Sequence, residues 1–171
     1  MPGPAADAAP DYVAELRLLV ARGEEAMRRL SDARAAECRH PGAWSSKEIV
    51  GHLIDSASNN HGRFVRAQLQ DDLVFPGYAQ DRWVTLQHYH EQPWSELLTL
   101  WAAFNRHLAT VMEHVAEEER RRPRPHHNLH LLAWRPVPES DPATLDGFMR
   151  DYVEHLAHHL RQILGEEWRP D

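Results

Sequence analysis

Between Asp11 and Ser31 the apolar residues Tyr12, Val13, Leu16, Leu19, Val20, Met27 and Leu30 return at steps of three and four. That is the repeat of one face of an α-helix, so a first helix is predicted over 11–31. The stretch 33–43 breaks at Pro41-Gly42 and reads as a connection. A second helix opens at Trp44-Ser45-Ser46-Lys47-Glu48-Ile49, where Ser45 can cap the first free amides, Glu48 can return the bond, and Trp44 can pack on Ile49. Its inward stripe runs through Ile49, His52 or Leu53, Ser56, Asn60 and Phe64, and fades near Gln70. This stripe is unusually polar for a face turned to a core. Residues 71–92 carry Pro76-Gly77 and the aromatics Phe75, Tyr78, Trp83 and Tyr89 without a sustained period. They read as a long connection with one short helical turn, the kind of segment that is often functional.

Pro93, acceptable at a first helical position, opens a third helix with the face Leu97, Leu98, Trp101, Phe104, Leu108, Val111, Met112 and Val115. It is predicted to end in Glu117-Glu118-Glu119-Arg120-Arg121-Arg122, with the arginines where the helix dipole favours cations. Pro123, Pro125, Pro136, Pro138 and Pro142 prevent a long helix over 123–142, and a short hairpin is predicted around 129–134. A last helix, capped by Asp141-Pro142 or by Thr144, runs to Gly165 with an inward stripe of Leu145, Phe148, Tyr152, His155, His159 and Ile163. Four long amphipathic helices without a strong strand pattern predict an all-α protein, a four-helix bundle with long irregular connections. A leader over 1–10, one domain over 11–165 and a tail over 166–171 complete the organisation.

Composition narrows the function classes. The chain has 171 residues, 42% hydrophobic and 26% charged, which excludes disorder of the whole and suits one domain. No apolar run approaches the roughly 18 to 20 residues needed to cross a bilayer, and the first ten residues lack the basic start and apolar stretch of a signal peptide. Cys38 stands alone, so no intrachain disulfide can form, and a reducing, cytoplasmic location is expected. It reads as a small apolar filler. The net charge of -7 argues against a nucleic-acid surface, and the run from Arg120 to Arg124 is expected to end a helix and lie in solvent.

Thirteen histidines are the unusual feature, since imidazole serves as metal ligand, proton shuttle and pH switch at neutral pH. His155 and His159 leave one helix face about one turn apart, near 6 Å along the axis. Their stripe neighbours are apolar, which turns them toward the core. His52 lies on the corresponding face of the second helix. Three neutral imidazoles would supply three of four tetrahedral positions and leave the fourth for water or substrate, the catalytic pattern of zinc sites. His158 is expected to face solvent, and His126, His127 and His130 to belong to a polar loop. Asp55, one turn beyond His52, either orients a ligand imidazole or accepts a proton, or else faces solvent. Gln162 and Asn60 are similar candidates. Tyr78 and Trp83 either wall a pocket or pack in the core.

Gly51-His52-Leu53-Ile54-Asp55-Ser56, the Trp44–Ile49 stretch before it, and His155-Leu156-Ala157-His158-His159-Leu160-Arg161-Gln162-Ile163 resemble the two signatures of the DinB superfamily. Arg63-Phe64, the stretch 78–83 and the placement of Trp101 resemble in particular its YfiT-like branch. The likeness spans about residues 11–165, while 123–142 cannot be aligned. It implies an up-down-down-up four-helix bundle and a divalent ion, zinc or nickel, held by His52, His155 and His159, with His158 as the non-ligand between the last two. Parallel neighbours in that topology account for the long crossing between the second and third helices. The resemblance further implies a metal-dependent enzyme acting on a small-molecule substrate. Its reaction would be hydrolysis, or S-transfer with a low-molecular-weight thiol co-substrate such as bacillithiol. It also implies a homodimer, while the net charge and the lack of an apolar span lead us to expect no nucleic-acid or membrane partner. The alternative is a metal-stabilised stress-response or binding protein without turnover.

Overall fold

The computed structural model describes residues 9–171, so residues 1–8 of the expected leader lie outside the described residues. The chain forms α1 (Asp11–Met27), α2 (Asp32–Ala36), α3 (Ser46–Ala67), α4 (Gln80–Leu86), a 3-10 turn (Tyr89–Glu91), α5 (Trp94–Glu113), α6 (Glu117–Arg121), α7 (Leu129–Leu132) and α8 (Leu145–Leu164). The predicted capping box forms: the Glu48 amide donates to Ser45 Oγ at 3.3 Å, and the Ser45 amide donates to Glu48 Oε2 at 2.8 Å. Two otherwise free donors are satisfied, and the start of α3 is fixed. Among the described residues β-pairing is limited to three isolated bridges, and no helix is long and apolar enough to cross a membrane.

The hydrogen bonds at the helix ends give the chain direction. Trp94 Nε1, at the start of α5, donates to the carbonyl of Met27 at the end of α1, 3.0 Å away, so α1 and α5 are antiparallel. Lys47, at the start of α3, donates to the Gln92 carbonyl just before α5 at 2.8 Å, so α3 and α5 begin at the same end and run parallel. Tyr12 at the start of α1 donates to Asp146 at the start of α8 at 2.9 Å, so these two run parallel as well. The order is up-down-down-up. Residues 68–93 must therefore travel the length of α3 to reach the start of α5, and both α4 and the 3-10 turn pack on α3 as they return.

Trp101, Phe64, Leu16, Met27, Leu53, Leu97, Leu98, Leu108 and Met112 are fully enclosed at the centre of the bundle. Five local expectations differ. The first helix stops at Met27, because Ser31 caps α2 by accepting from the Arg34 amide at 3.2 Å. The third helix ends at Glu113, and 117–121 form a separate short helix. The hairpin expected around 129–134 is replaced by α7, because the backbone before it pairs with a distant segment: the Leu73 amide donates to the His126 carbonyl at 2.9 Å, and the Asn128 amide to the Leu73 carbonyl at 3.2 Å. The run from Arg120 to Arg124 is not simply solvated. Arg120 is buried against Asp146 at 2.5 Å. Arg124 is buried against Glu119 and donates to the carbonyls of Ala67, Gln70 and Asp72, which closes the end of α3. Cys38 is exposed and fills no core position.

Candidate metal centre

His52 lies in the first half of α3 and His155 and His159 in the second half of α8, and the parallel-antiparallel order brings these halves to one end of the bundle. His52 Nε2 is 3.3 Å from His155 Nε2, which is 2.9 Å from His159 Nε2. All three donor atoms fall within 4.8 Å of one another. Two nitrogens bound tetrahedrally at zinc distance stand about 3.4 Å apart, so the convergence has the scale of a shared cation. The rings meet edge to face, at 88°, 71° and 89°.

The chemistry of the donors fits the same conclusion. Gln162 Oε1 lies 2.6 Å from His159 Nδ1. An amide oxygen only accepts, so the imidazole proton sits on Nδ1 and the Nε2 lone pair faces the other two rings. Burial pushes the pKa of His52 to about 3, of His155 to about 2 and of His159 to about 4, so all three are neutral lone-pair donors at pH 7. Such a set can hold a divalent metal ion.

Two cavities open beside the cluster. One, of about 180 Å³, is bordered by His52 and His155 together with Arg63, Tyr78, Trp134 and Asp151. The other, of about 470 Å³, reaches His159 and Gln162 past Trp44 and Arg39. Trp44 packs on His52 with ring centres 5.2 Å apart, and Trp134 covers His155 at 6.2 Å. His158 is not turned freely to solvent. It is half-buried, with Trp134 5.3 Å from its ring.

Asp55 is only 2% exposed, so the solvent-facing alternative is excluded. Nor does it hydrogen-bond any of the three imidazoles. Its Oδ1 accepts from Tyr89 Oη at 2.7 Å and Gln87 Nε2 at 2.6 Å, Oδ2 has no partner, and burial raises its pKa. Asp55 thus ties the returning 3-10 turn to α3. Asn60 likewise serves its own helix, donating to the Ser56 carbonyl at 2.9 Å and accepting from Arg63 at 3.3 Å. Gln162 is the candidate that reaches one of the three imidazoles, that of His159. Tyr78 borders the cavity, whereas Trp83 packs on Tyr78 from outside it, 4.9 Å between ring centres. His127 is buried, its Nε2 2.7 Å from the Asp141 carbonyl, and so does more than line a polar loop.

Sequence reasoning missed Asp151. It stands four residues before His155, so the same spacing that singled out His155 and His159 would have extended the column by one turn. Its carboxylate accepts from the amides of Trp134 at 2.9 Å and Arg135 at 2.8 Å, and burial raises its pKa.

Residues 15–163 match the family model of the DinB superfamily. A solved structure, described as "YfiT from Bacillus subtilis is a probable metal-dependent hydrolase with an unusual four-helix bundle topology", matches with a TM-score of 0.73 at 18% sequence identity. The match covers 94% of this chain and 89% of that one, a likeness of fold. A search of curated proteins finds no match.

Proposed function

The chain belongs to the DinB superfamily, and we propose that it is a metal-dependent enzyme acting on a small molecule, with His52, His155 and His159 as the ligands of one divalent ion. The observation that carries this reading is the convergence of three Nε2 atoms from two helices at the edge of an open cavity. The description of the Bacillus subtilis relative as a probable metal-dependent hydrolase agrees with it. A three-imidazole set suits zinc or nickel, among others. When bound, such an ion supplies a strong positive field that acidifies water or a thiol at the position left open.

The residues of the chain then divide the remaining work. Gln162 fixes the tautomer of His159 and so aims its lone pair. Asp151 is the carboxylate that shares the cavity with His52 and His155, and its burial makes it a better proton acceptor than an exposed carboxylate, so it takes the proton released by the nucleophile. The Trp134 and Arg135 amides hold that carboxylate in place. Trp134 also shields His155 from bulk water. Water as nucleophile gives a hydrolase, and a low-molecular-weight thiol such as bacillithiol gives an S-transferase. Both need the same open corner and the same proton acceptor.

Elemental analysis of protein purified without a histidine tag, followed by turnover of ester and amide panels and of an electrophile with added thiol, tests the reading. One divalent ion per chain is expected, falling well below one on replacing any of His52, His155 or His159 by Ala and nearly unchanged in His158→Ala. Turnover should be lost with the metal and fall by roughly 10²–10⁴-fold in Asp151→Asn. Full metal retention in all three histidine variants would refute the ligand set. Stoichiometric metal with no metal-dependent turnover in either panel would refute catalysis.

A further inference from the structure

We infer that the cavity beside the histidines takes a substrate bearing a carboxylate and that Arg63 is the side chain that binds it, an assignment that rests on reading this cavity as the substrate site. Arg63 is 5% exposed, yet its guanidinium meets only neutral acceptors: Asn60 Oδ1 at 3.3 Å and the Pro76 carbonyl at 3.0 Å. A guanidinium carries five N–H donors, so most of its capacity is unused. The other buried cations of this molecule are each matched. Arg120 pairs with Asp146, Arg124 with Glu119, and Lys47 with Asp32. Among the described residues no carboxylate lies within ion-pair reach of Arg63. A buried charge left without a counter-ion is costly, and the cost is offset when an anion enters beside it.

The nearby acids make no ion pair with Arg63. Asp151 is held by the amides of Trp134 and Arg135, and Asp55 by Tyr89 and Gln87. Tyr78 borders the same cavity, and its hydroxyl has no hydrogen-bond partner among the described residues. Burial pushes the Tyr78 pKa up to about 12, so at neutral pH it is a proton donor. A cationic donor and a neutral one thus face a common space whose walls include His52 and His155. A planar guanidinium matches a carboxylate through paired hydrogen bonds. One cation, with Asp151 on the same wall, suits a monoanion better than a phosphate dianion. Arg63 follows His52 by eleven residues on one helix, about 16 Å of axis, a span the two side chains shorten from both ends. The carboxylate is therefore remote from the reacting group, on a molecule several carbons long.

The test compares 6-mercaptohexanoate with 6-mercaptohexan-1-ol by calorimetry, on both metal-free and zinc-loaded protein, with zinc measured by elemental analysis. Wild type should bind the carboxylate at least tenfold more tightly than the alcohol in both forms. Arg63→Gln should erase that preference while zinc content stays at the wild-type level, and Tyr78→Phe should reduce it severalfold. The second variant decides the matter if the first fails to fold. No preference in wild type, or a preference unchanged in Arg63→Gln, overturns the assignment. So does tighter binding of hexyl phosphate than of hexanoate. Absence of bound zinc with the carboxylate preference intact would sink the metal reading and leave Arg63 standing, so the two failures are distinguishable.

Discussion

Gln162 accepts from His159 Nδ1 and so fixes the tautomer of one of the three clustered imidazoles, and its removal isolates that role. Gln162→Leu should weaken metal affinity by about 10- to 100-fold, the usual effect of losing a group that orients a ligand, as read by competition with a chelator. Asp55 supplies a pH test. Its carboxyl sits above the ordinary value of 3.8 because burial penalises the charge, so folding favours the protonated form. The stability attached to this group is intact below pH 3.8 and is lost as pH rises through the folded value. Asp55→Asn keeps an acceptor for Tyr89 and Gln87 and removes the titration. The melting temperature of wild type relative to this variant should therefore fall between pH 4 and pH 7, and a difference that is constant over that range would contradict the account. The meeting of His155 with His159 could be read in the sequence, because spacing on a helix fixes which side chains share a face. The settings of Asp55 and Arg63 could not. Their partners, Tyr89, Gln87 and Pro76, come from a connection whose path no periodicity describes.

At the scale of elements, Gly51 decides how closely the returning chain approaches α3. A Cβ built there would stand 2.1 Å from Tyr89 Cδ2 and 2.3 Å from its Cγ, far inside van der Waals contact. Glycine in a helix interior ordinarily costs about 1 kcal/mol relative to alanine, so an open site would gain from the change. Here Gly51→Ala must displace Tyr89, and with it the bond to Asp55. The overpacking should cost about 1–3 kcal/mol, lowering the melting temperature by roughly 2–12 °C for a chain of this size. An increase in thermal melting would show that the turn yields freely. The four long helices follow from the three-four repeat, and the start of α3 from its capping box. Helix ends that depend on another segment were less legible. Ser31 stops α1 by capping α2, and Leu73 claims the backbone that would otherwise have made a hairpin before α7. The buried arginines were misjudged for the same reason, since the carbonyls that Arg124 satisfies belong to residues 52–57 positions earlier.

For the molecule as a whole, the ligands of the proposed ion sit on helices that enter the bundle at different stages of the chain. An ion that binds the folded form and not the unfolded one adds RT ln(1 + [M]/Kd), about 2.7 kcal/mol at a hundredfold excess over Kd. Stripping the metal should thus lower the melting temperature by roughly 5–11 °C, restored on adding zinc back. Equal melting of stripped and loaded protein would rule out tight binding to the native state. The topology, read in the sequence only through family likeness, has a further consequence for biosynthesis. His52 and His155 are separated by 103 residues, so a growing polypeptide leaves the ribosome with a single proposed donor ready and has all three only once α8 has emerged. Capture by the three proposed ligands would therefore wait for α3 and α8 to pack together, and a chain cut before His155 would offer one of the three donors.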